Sequence, residues 1–402
     1  MPSKATAQNS SQLAITAYGL KATTGNTDFA LFGAIATMLS TATEDSSIEV
    51  PSATGDGFDA ARTAPIPTLA DIKTTDRMFV CLLSAVVDAT AQLSERSLKD
   101  KKHLLLIVLP ATTFERSKTI DKKQWQDILS DELAEFTDLH IHFIHANNNV
   151  TKQLQTACAA LQEDKFDSVI FAGTDSLLDQ VTCTDLITTR RICSTGNAGS
   201  VIPGEAAACV VIQKVSPNNK HIRALISGIT YTAEPNSGKA DKTKLTGLST
   251  VIQNVTKMAG QHPDNIDCLV LSGLNSPFTA LEWYQTTQTV WPNTLSEQQR
   301  VAFQQGEIEQ PKLKPRTMPE QLDPNFSLGE IGAAILPLEL VLACARFDFN
   351  YPQVKHCLIC DVSEFPFRGA ILLSNPHANS ATDSWTPGTD STYHSLKRQQ
   401  SS

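Results

Sequence analysis

No apolar run in these 402 residues approaches the ~20 residues that cross a bilayer, so no membrane span is expected. The N-terminus, Met1 to Gln12, is polar and lacks the apolar stretch of a secretory leader, so the chain reads as cytoplasmic. Clustered basic residues are missing as well. Lys and Arg number 33 against 42 Asp and Glu, a net charge of −9, and the basic ones are scattered, which argues against a nucleic-acid partner. Nine cysteines are an odd count, and most sit in apolar runs, as reduced core thiols do. The one Cys-x-x-Cys, Cys357 to Cys360, has no second pair nearby, and on a strand its thiols point to opposite faces. No metal and no cofactor is implied. Apolar residues are plentiful: 41% hydrophobic content can bury a large core in one or two domains.

Strand-like and helix-like segments alternate along the chain. Leu13 to Leu20 reads as a strand, Phe29 to Leu39 as a helix, and Ser40 to Thr75 as a long loop rich in Ser, Thr, Pro and Gly. A helix runs from Asp76 to Ala89 with Phe79, Leu82, Leu83 and Val86 on one stripe. The strand Leu104 to Leu109 stops at Pro110. A helix over Gln124 to Phe136 and a strand from His140 to Ala146 follow. A helix from Val150 leads to the apolar run Val169 to Ala172, which reads as a strand ended by the turn Gly173-Thr174-Asp175-Ser176. Pro203-Gly204-Glu205 then precedes the strand Ala206 to Gln213.

Beyond the polar link Ser216 to Lys220 the pattern restarts. Ile222 to Ile229 and Cys268 to Leu271 read as strands flanking a helix over Lys244 to Met258. Ser276-Pro277 opens another helix, Leu328 to Phe347 is helical and rich in small residues, and His356 to Val362 and Gly369 to Leu373 close the pattern. Two α/β halves in one chain, residues 13–215 and 216–374, imply internal duplication. Residues 1–12 read as a flexible N-terminus and 375–402, rich in Ser, Thr and Pro, as a disordered tail.

Two stretches carry a family resemblance: Phe171-Ala-Gly-Thr-Asp-Ser176, and Ile202-Pro-Gly-Glu-Ala-Ala207 leading into a strand. They resemble the thiolase superfamily, and within it the β-ketoacyl synthases. The resemblance implies the thiolase-like fold, two duplicated halves in five layers, α-β-α-β-α, and a homodimer paired along a sheet edge. It also implies a Cys nucleophile at a strand-to-helix turn, where a helix N-terminus lowers its pKa, and two His residues that stabilise developing charge.

This chain departs from all three positions. The turn that should hold the nucleophile is Asn147-Asn148-Asn149, with Asn148 central, and a carboxamide is no nucleophile. Ser272, after the strand Cys268 to Leu271, stands where the first His is expected. Phe326, in Asn325-Phe-Ser-Leu-Gly-Glu-Ile-Gly-Ala-Ala334, stands where the second is expected. The family's closing Gly-Phe-Gly-Gly turn has become Phe365-Pro-Phe367-Arg-Gly369. Cys158 echoes the family's Thr-Ala-Cys, but it lies inside a helix on the stripe Val150, Leu154, Cys158, Leu161 and reads as a packed core thiol.

His140 and His142 share a strand face while His145 points away, which is poor spacing for a metal. Glu205 and Glu330 sit in glycine-framed turns, either as an acidic pair or as hydrogen-bonding structural groups, and with Phe365 and Phe367 they mark a residual pocket. Glu282-Trp283-Tyr284 is either a helix face or a pocket wall. The resemblance therefore implies a catalytically inactive scaffold, adaptor or binding module. Members with such degenerate motifs tend to be encoded beside type VI secretion effectors, so a secretion effector is one implied partner. An acyl-chain-handling subunit beside a ketosynthase or acyl-carrier protein, or an acyltransferase with a relocated nucleophile, is the alternative.

Overall fold

The structure, a computed structural model, describes residues 12–52, 55–93, 100–216, 221–235, 244–274, 276–293, 295, 297–309, 318–363 and 365–378. The stretches before residue 12 and after residue 378, read above as flexible, lie outside the described residues, as does most of the 216–220 link.

The first half runs β1 (Leu13–Ala22), α1 (Asp28–Ala36), β2 (Thr43–Pro51), β3 (Phe58–Thr63), α2 (Thr74–Thr90), β4 (Lys102–Leu109), α3 (Glu115–Lys118) and α4 (Lys122–Glu132). It ends with β5 (Asp138–His145), α5 (Val150–Gln162), β6 (Ser168–Ser176), α6 (Gln180–Thr188) and β7 (Glu205–Lys214). The second half runs β8 (Ala224–Ala233), α7 (Gly247–Met258), β9 (Cys268–Leu271), α8 (Pro277–Val290), α9 (Glu297–Gln304) and β10 (Glu320–Leu322). It closes with α10 (Pro324–Leu328), α11 (Ile335–Asp348), β11 (His356–Val362) and β12 (Phe367–Ser374).

Ten strands join in the order β10-β9-β11-β12-β8-β1-β7-β6-β4-β5. Each half contributes five of them, and the two blocks repeat one plan. In the first, β4 pairs in parallel with β5 and β6, and β7 lies antiparallel between β6 and β1. In the second, β9 pairs in parallel with β10 and β11, and β12 lies antiparallel between β11 and β8. Among the described strands, the ladder of Leu13–Ile15 with Ala224–Ile226 joins the blocks.

Three apolar clusters place the layers. Alternate strand residues point to opposite faces, so Val169 and Phe171 of β6 enter a cluster with α5 and α11, while Ile170 and Ala172 enter another with α2 and α4. In the second half Cys357 and Ile359 face that same α5–α11 layer, and Leu358 and Cys360 face α7. The Cys-x-x-Cys thiols thus lie on opposite sides of the sheet. The sequence of layers is helix, sheet, central helices, sheet, helix. At Gly19 the first sheet and α2 touch backbone to backbone, because a side chain there would collide with the carbonyl of Ala85. Each Leu or Ile buried in such a layer contributes about 1.5–3 kcal/mol.

Three local readings need correction. Ser40 to Thr75 is not one loop. It holds the β2–β3 hairpin, whose Val50 and Ala61 pack on Cys183, Leu186 and Ile192. Most of the β2 side chains are polar and exposed, so alternation was invisible in the sequence. Gly173 to Ser176 is not a turn either: β6 continues through Ser176, paired with Glu205–Ala208 of β7. Its polar side chains remain in the strand because each has a partner, such as Thr174 Oγ1 donating to the Met78 carbonyl at 2.8 Å. Asn375 belongs to the folded chain, buried, with Nδ2 donating to the Val354 carbonyl at 2.9 Å.

Candidate functional site

A cavity of about 450 Å³ opens where the two halves meet beside the central helices. Its apolar wall includes Val108, Ala146, Val150, Ile335 and Leu336, from β4, the turn after β5, the start of α5 and the start of α11. Asn148 lines it from the turn before α5; the Asn149 side chain caps that helix by accepting from the Lys152 N–H at 2.9 Å. Ser272 lines it just after β9, Phe365 from the turn before β12, and Phe367 from the first position of β12. Among the described residues that form the wall there is no thiol and no imidazole.

Of the charged part of the wall, the sequence singled out Glu330 but not Arg116 or Asp361. Arg116 of α3 is buried against Asp175 of β6, with Nε and Nη2 donating at 2.7 and 3.2 Å, and Nη1 donates to Thr182 Oγ1 at 2.9 Å. Burial works against the guanidinium charge, but the Asp175 carboxylate outweighs it and raises the pKa further. Asp175 also accepts from the Ala333 N–H at 3.0 Å, which ties α3 to the turn before α11. That turn needs Gly332, at φ +49°, since a side chain there would strike the Asp175 carboxylate.

On the opposite side Ser272 Oγ donates to Glu339 Oε1 at 2.6 Å. Glu339 lies in α11, 1% exposed, and its Oε2 has no hydrogen-bond partner among the described residues. Burial pushes this carboxyl well above the ordinary range. The Ser272 hydrogen bond opposes that, while Asp361, Asp323 and Glu330 reinforce it. Asp361 of β11 lines the cavity and accepts from Thr151 Oγ1 at 2.6 Å; burial raises its pKa also.

Of the residues singled out in the sequence, Asn148, Ser272, Glu330, Phe365 and Phe367 come together around the cavity. Phe326 does not: it sits on the short α10, 46% exposed and outside the wall. Glu330, four residues on, is the side chain of that loop that reaches the cavity. Glu205 is also elsewhere. At 1% exposure it accepts from both Arg77 Nε (2.9 Å) and Nη2, from Ser176 Oγ (3.0 Å) and from the Ile66 N–H (2.7 Å), so it forms no acidic pair with Glu330.

Cys158 is packed in α5, and burial pushes its thiol to about 12. Indeed, all nine cysteines are buried. Glu282-Trp283-Tyr284 is a helix face: Glu282 pairs with Arg368, Trp283 meets Trp291 edge-on at 6.2 Å, and Tyr284 is exposed. His140 pairs with Asp138 at 2.9 Å, and His145 Nδ1 lies 2.7 Å from the Pro110 carbonyl. Among the described residues no group of three His, Cys, Asp or Glu side chains is placed to hold a metal ion. No helix among them is long and apolar enough to cross a membrane.

No family model matches this chain, and no curated protein does. Solved structures do match. It is similar to the ishigamide ketosynthase/chain length factor, at 12% identity and TM-score 0.66, over 91% of this chain and 99% of that one. A β-ketoacyl synthase from Burkholderia phymatum is 12% identical with TM-score 0.67, over 91% and 99% of the two chains. The ketosynthase from module 1 of the bacillaene synthase of Bacillus amyloliquefaciens is 15% identical with TM-score 0.62, over 96% of this chain and 78% of that one. Likeness at such identity is likeness of fold, and this chain has the thiolase-like α/β fold of the β-ketoacyl synthases.

Proposed function

We propose that this chain is a ketosynthase-like protein without ketosynthase chemistry, a dimeric binding module that holds its ligand or partner at the central cavity without a covalent bond. The observation that carries this reading is the cavity wall, which presents amide, hydroxyl and carboxylate groups but no thiol and no imidazole among the described residues. Acyl transfer through an enzyme thioester needs a thiolate, and stabilising an enolate needs donors aimed at the developing oxyanion. On this reading Asn148, Ser272 and Glu330, rather than Phe326, occupy the three former catalytic positions. Asn148 and Glu330 offer no imidazole to a developing negative charge, and the Ser272 hydroxyl is already donated to Glu339.

The dimer in this reading forms at β5, whose outer edge pairs with no strand of the described chain. The partner classes it admits are a secretion effector, for an accessory that loads type VI effectors, and an acyl-carrier protein or ketosynthase, for a chain-length-factor-like subunit. The apolar wall at Val108, Val150, Ile335 and Leu336 favours the second class, since an acyl chain packs there without polar cost. The test is release of CO2 from a malonyl-loaded carrier protein. The expected result is the protein-free background rate; release above it would return the protein to the condensing enzymes.

A further inference from the structure

The cavity's charge sets a preference among ligands, and this inference rests on the binding-module reading above. Five carboxylates line the wall, Glu115, Asp175, Asp185, Glu330 and Asp361, against two guanidiniums, Arg116 and Arg191. Arg116 is committed to Asp175. Glu115 and Asp185 are exposed at the rim, where water screens them. The deeper wall is different. Asp361 and, behind Ser272, the buried Glu339 form no ion pair among the described residues; their hydrogen bonds come from Thr151 and Ser272. Arg368 is the nearby cation and its charge favours the Asp361 carboxylate, but its hydrogen bonds go elsewhere: Nε to Glu282 at 2.8 Å and Nη1 to the carbonyls of Ser363, Phe365 and Phe367. The second oxygen of Glu339 has no hydrogen-bond partner among the described residues, and it lies behind Ser272 rather than in the cavity wall itself. Beside this floor, Phe365 and Phe367 offer aromatic surface, and Val362 and Leu336 an apolar stem site.

We propose that the cavity takes an amphiphilic cation, an alkylammonium whose charged head sits at Asp361 and whose stem lies against Phe365, Phe367 and Leu336. A carboxylate or phosphate head would meet an excess of negative groups in a partly desolvated site and be rejected. Ammonium near the two phenyl rings adds a cation–π attraction. The chemistry is the same whether the ammonium belongs to a free amine or to a lysine side chain.

The test is calorimetric titration of the full chain at pH 8 with hexylamine, 1-hexanol and hexanoate, three ligands of one stem and different charge. Hexylammonium is expected to bind about tenfold or more tightly than hexanoate, with hexanol between them. Asp361→Asn is expected to remove that preference. A peptide carrying one central lysine, set against its acetylated form, separates the two sources: tighter binding than hexylammonium assigns the site to a partner's side chain, and weaker binding assigns it to a free amine. Equal or tighter binding of hexanoate, no binding of hexylammonium, or an Asp361→Asn protein with the wild-type preference would each overturn the assignment. Where Asp361→Asn does not fold, the charge series on the wild-type chain decides alone. Failure here with no CO2 release in the malonyl assay removes only the ligand class; CO2 release removes the binding-module reading beneath it.

Discussion

The two halves solve one electrostatic problem with the signs reversed. Near the start of β7 the first half places a carboxylate, Glu205, against Arg77 of α2. Near the start of β12, the equivalent strand, the second half places Arg368 against Glu282 of α8. Both pairs are buried, with side-chain exposures of 10% and 1% in the first and 5% and 0% in the second. The central helices differ in the same spirit. α5 buries one stripe, Val150, Leu154, Cys158 and Leu161, and leaves a polar face. α11 is buried on nearly every side, including Glu339 and Arg346, which the rest of the chain must satisfy. Arg346 is satisfied, by Glu320 at 2.8 Å and by the carbonyls of Phe349 and Pro352. Glu339 is satisfied at one oxygen only among the described residues. A repeated topology therefore does not repeat its chemistry. The first half supplies a well-paired frame and both guanidiniums of the cavity, and the second supplies Ser272, Glu330, Asp361 and the two phenyl rings.

The largest effects should come from breaking either buried pair. Glu205→Ala strands Arg77, Ser176 and the Ile66 N–H together, and Arg368→Ala strands Glu282. Each is expected to cost about 3–5 kcal/mol in urea unfolding, with Glu205→Ala the worse because it has more partners. A loss below about 1 kcal/mol for either would show that the pairs are not equivalent supports. Next comes Gly332→Ala, expected to cost about 2 kcal/mol from a left-handed backbone and a displaced Asp175, again read by urea unfolding. Cys158→Ala removes one buried thiol from α5 and should cost about 1 kcal/mol.

The smallest effect, and the one with a reversed sign, is expected for Glu339→Gln. The folded chain holds the Glu339 proton above the ordinary carboxylate range, so unfolding releases it. Wild-type stability should therefore fall as pH rises from about 4.5 toward the raised folded value. The Gln variant should lose that slope and match or exceed the wild type at pH 8. A steeper slope in the variant would contradict the burial argument.

Most of the fold was legible because its elements announce themselves locally. α5 has a stripe and an Asn cap, β9 is a run of four apolar residues, and α8 opens on Ser276-Pro277 with a capping box. The β2–β3 hairpin was not legible, because a polar, exposed strand has no alternation to read. The site was half legible. Asn148 and Ser272 follow strands, so their place at the cavity followed from the strand ends. Phe326 lies outside the cavity wall, since the spacing of Gly329 and Gly332 does not reveal which side chain of the loop points inward. Arg116 and Asp361 went unremarked, since a single charge in a short helix or a strand looks like any solvated residue until its neighbours are known.

The central claim is that nothing in this cavity carries an acyl group covalently. Intact-protein mass spectrometry after incubation with acyl-CoA and acyl-carrier-protein donors tests it most directly. The predicted result is the unmodified mass of the folded protein with every donor. A stoichiometric acyl adduct, mapped to Ser272, Cys158 or any other side chain, would contradict it.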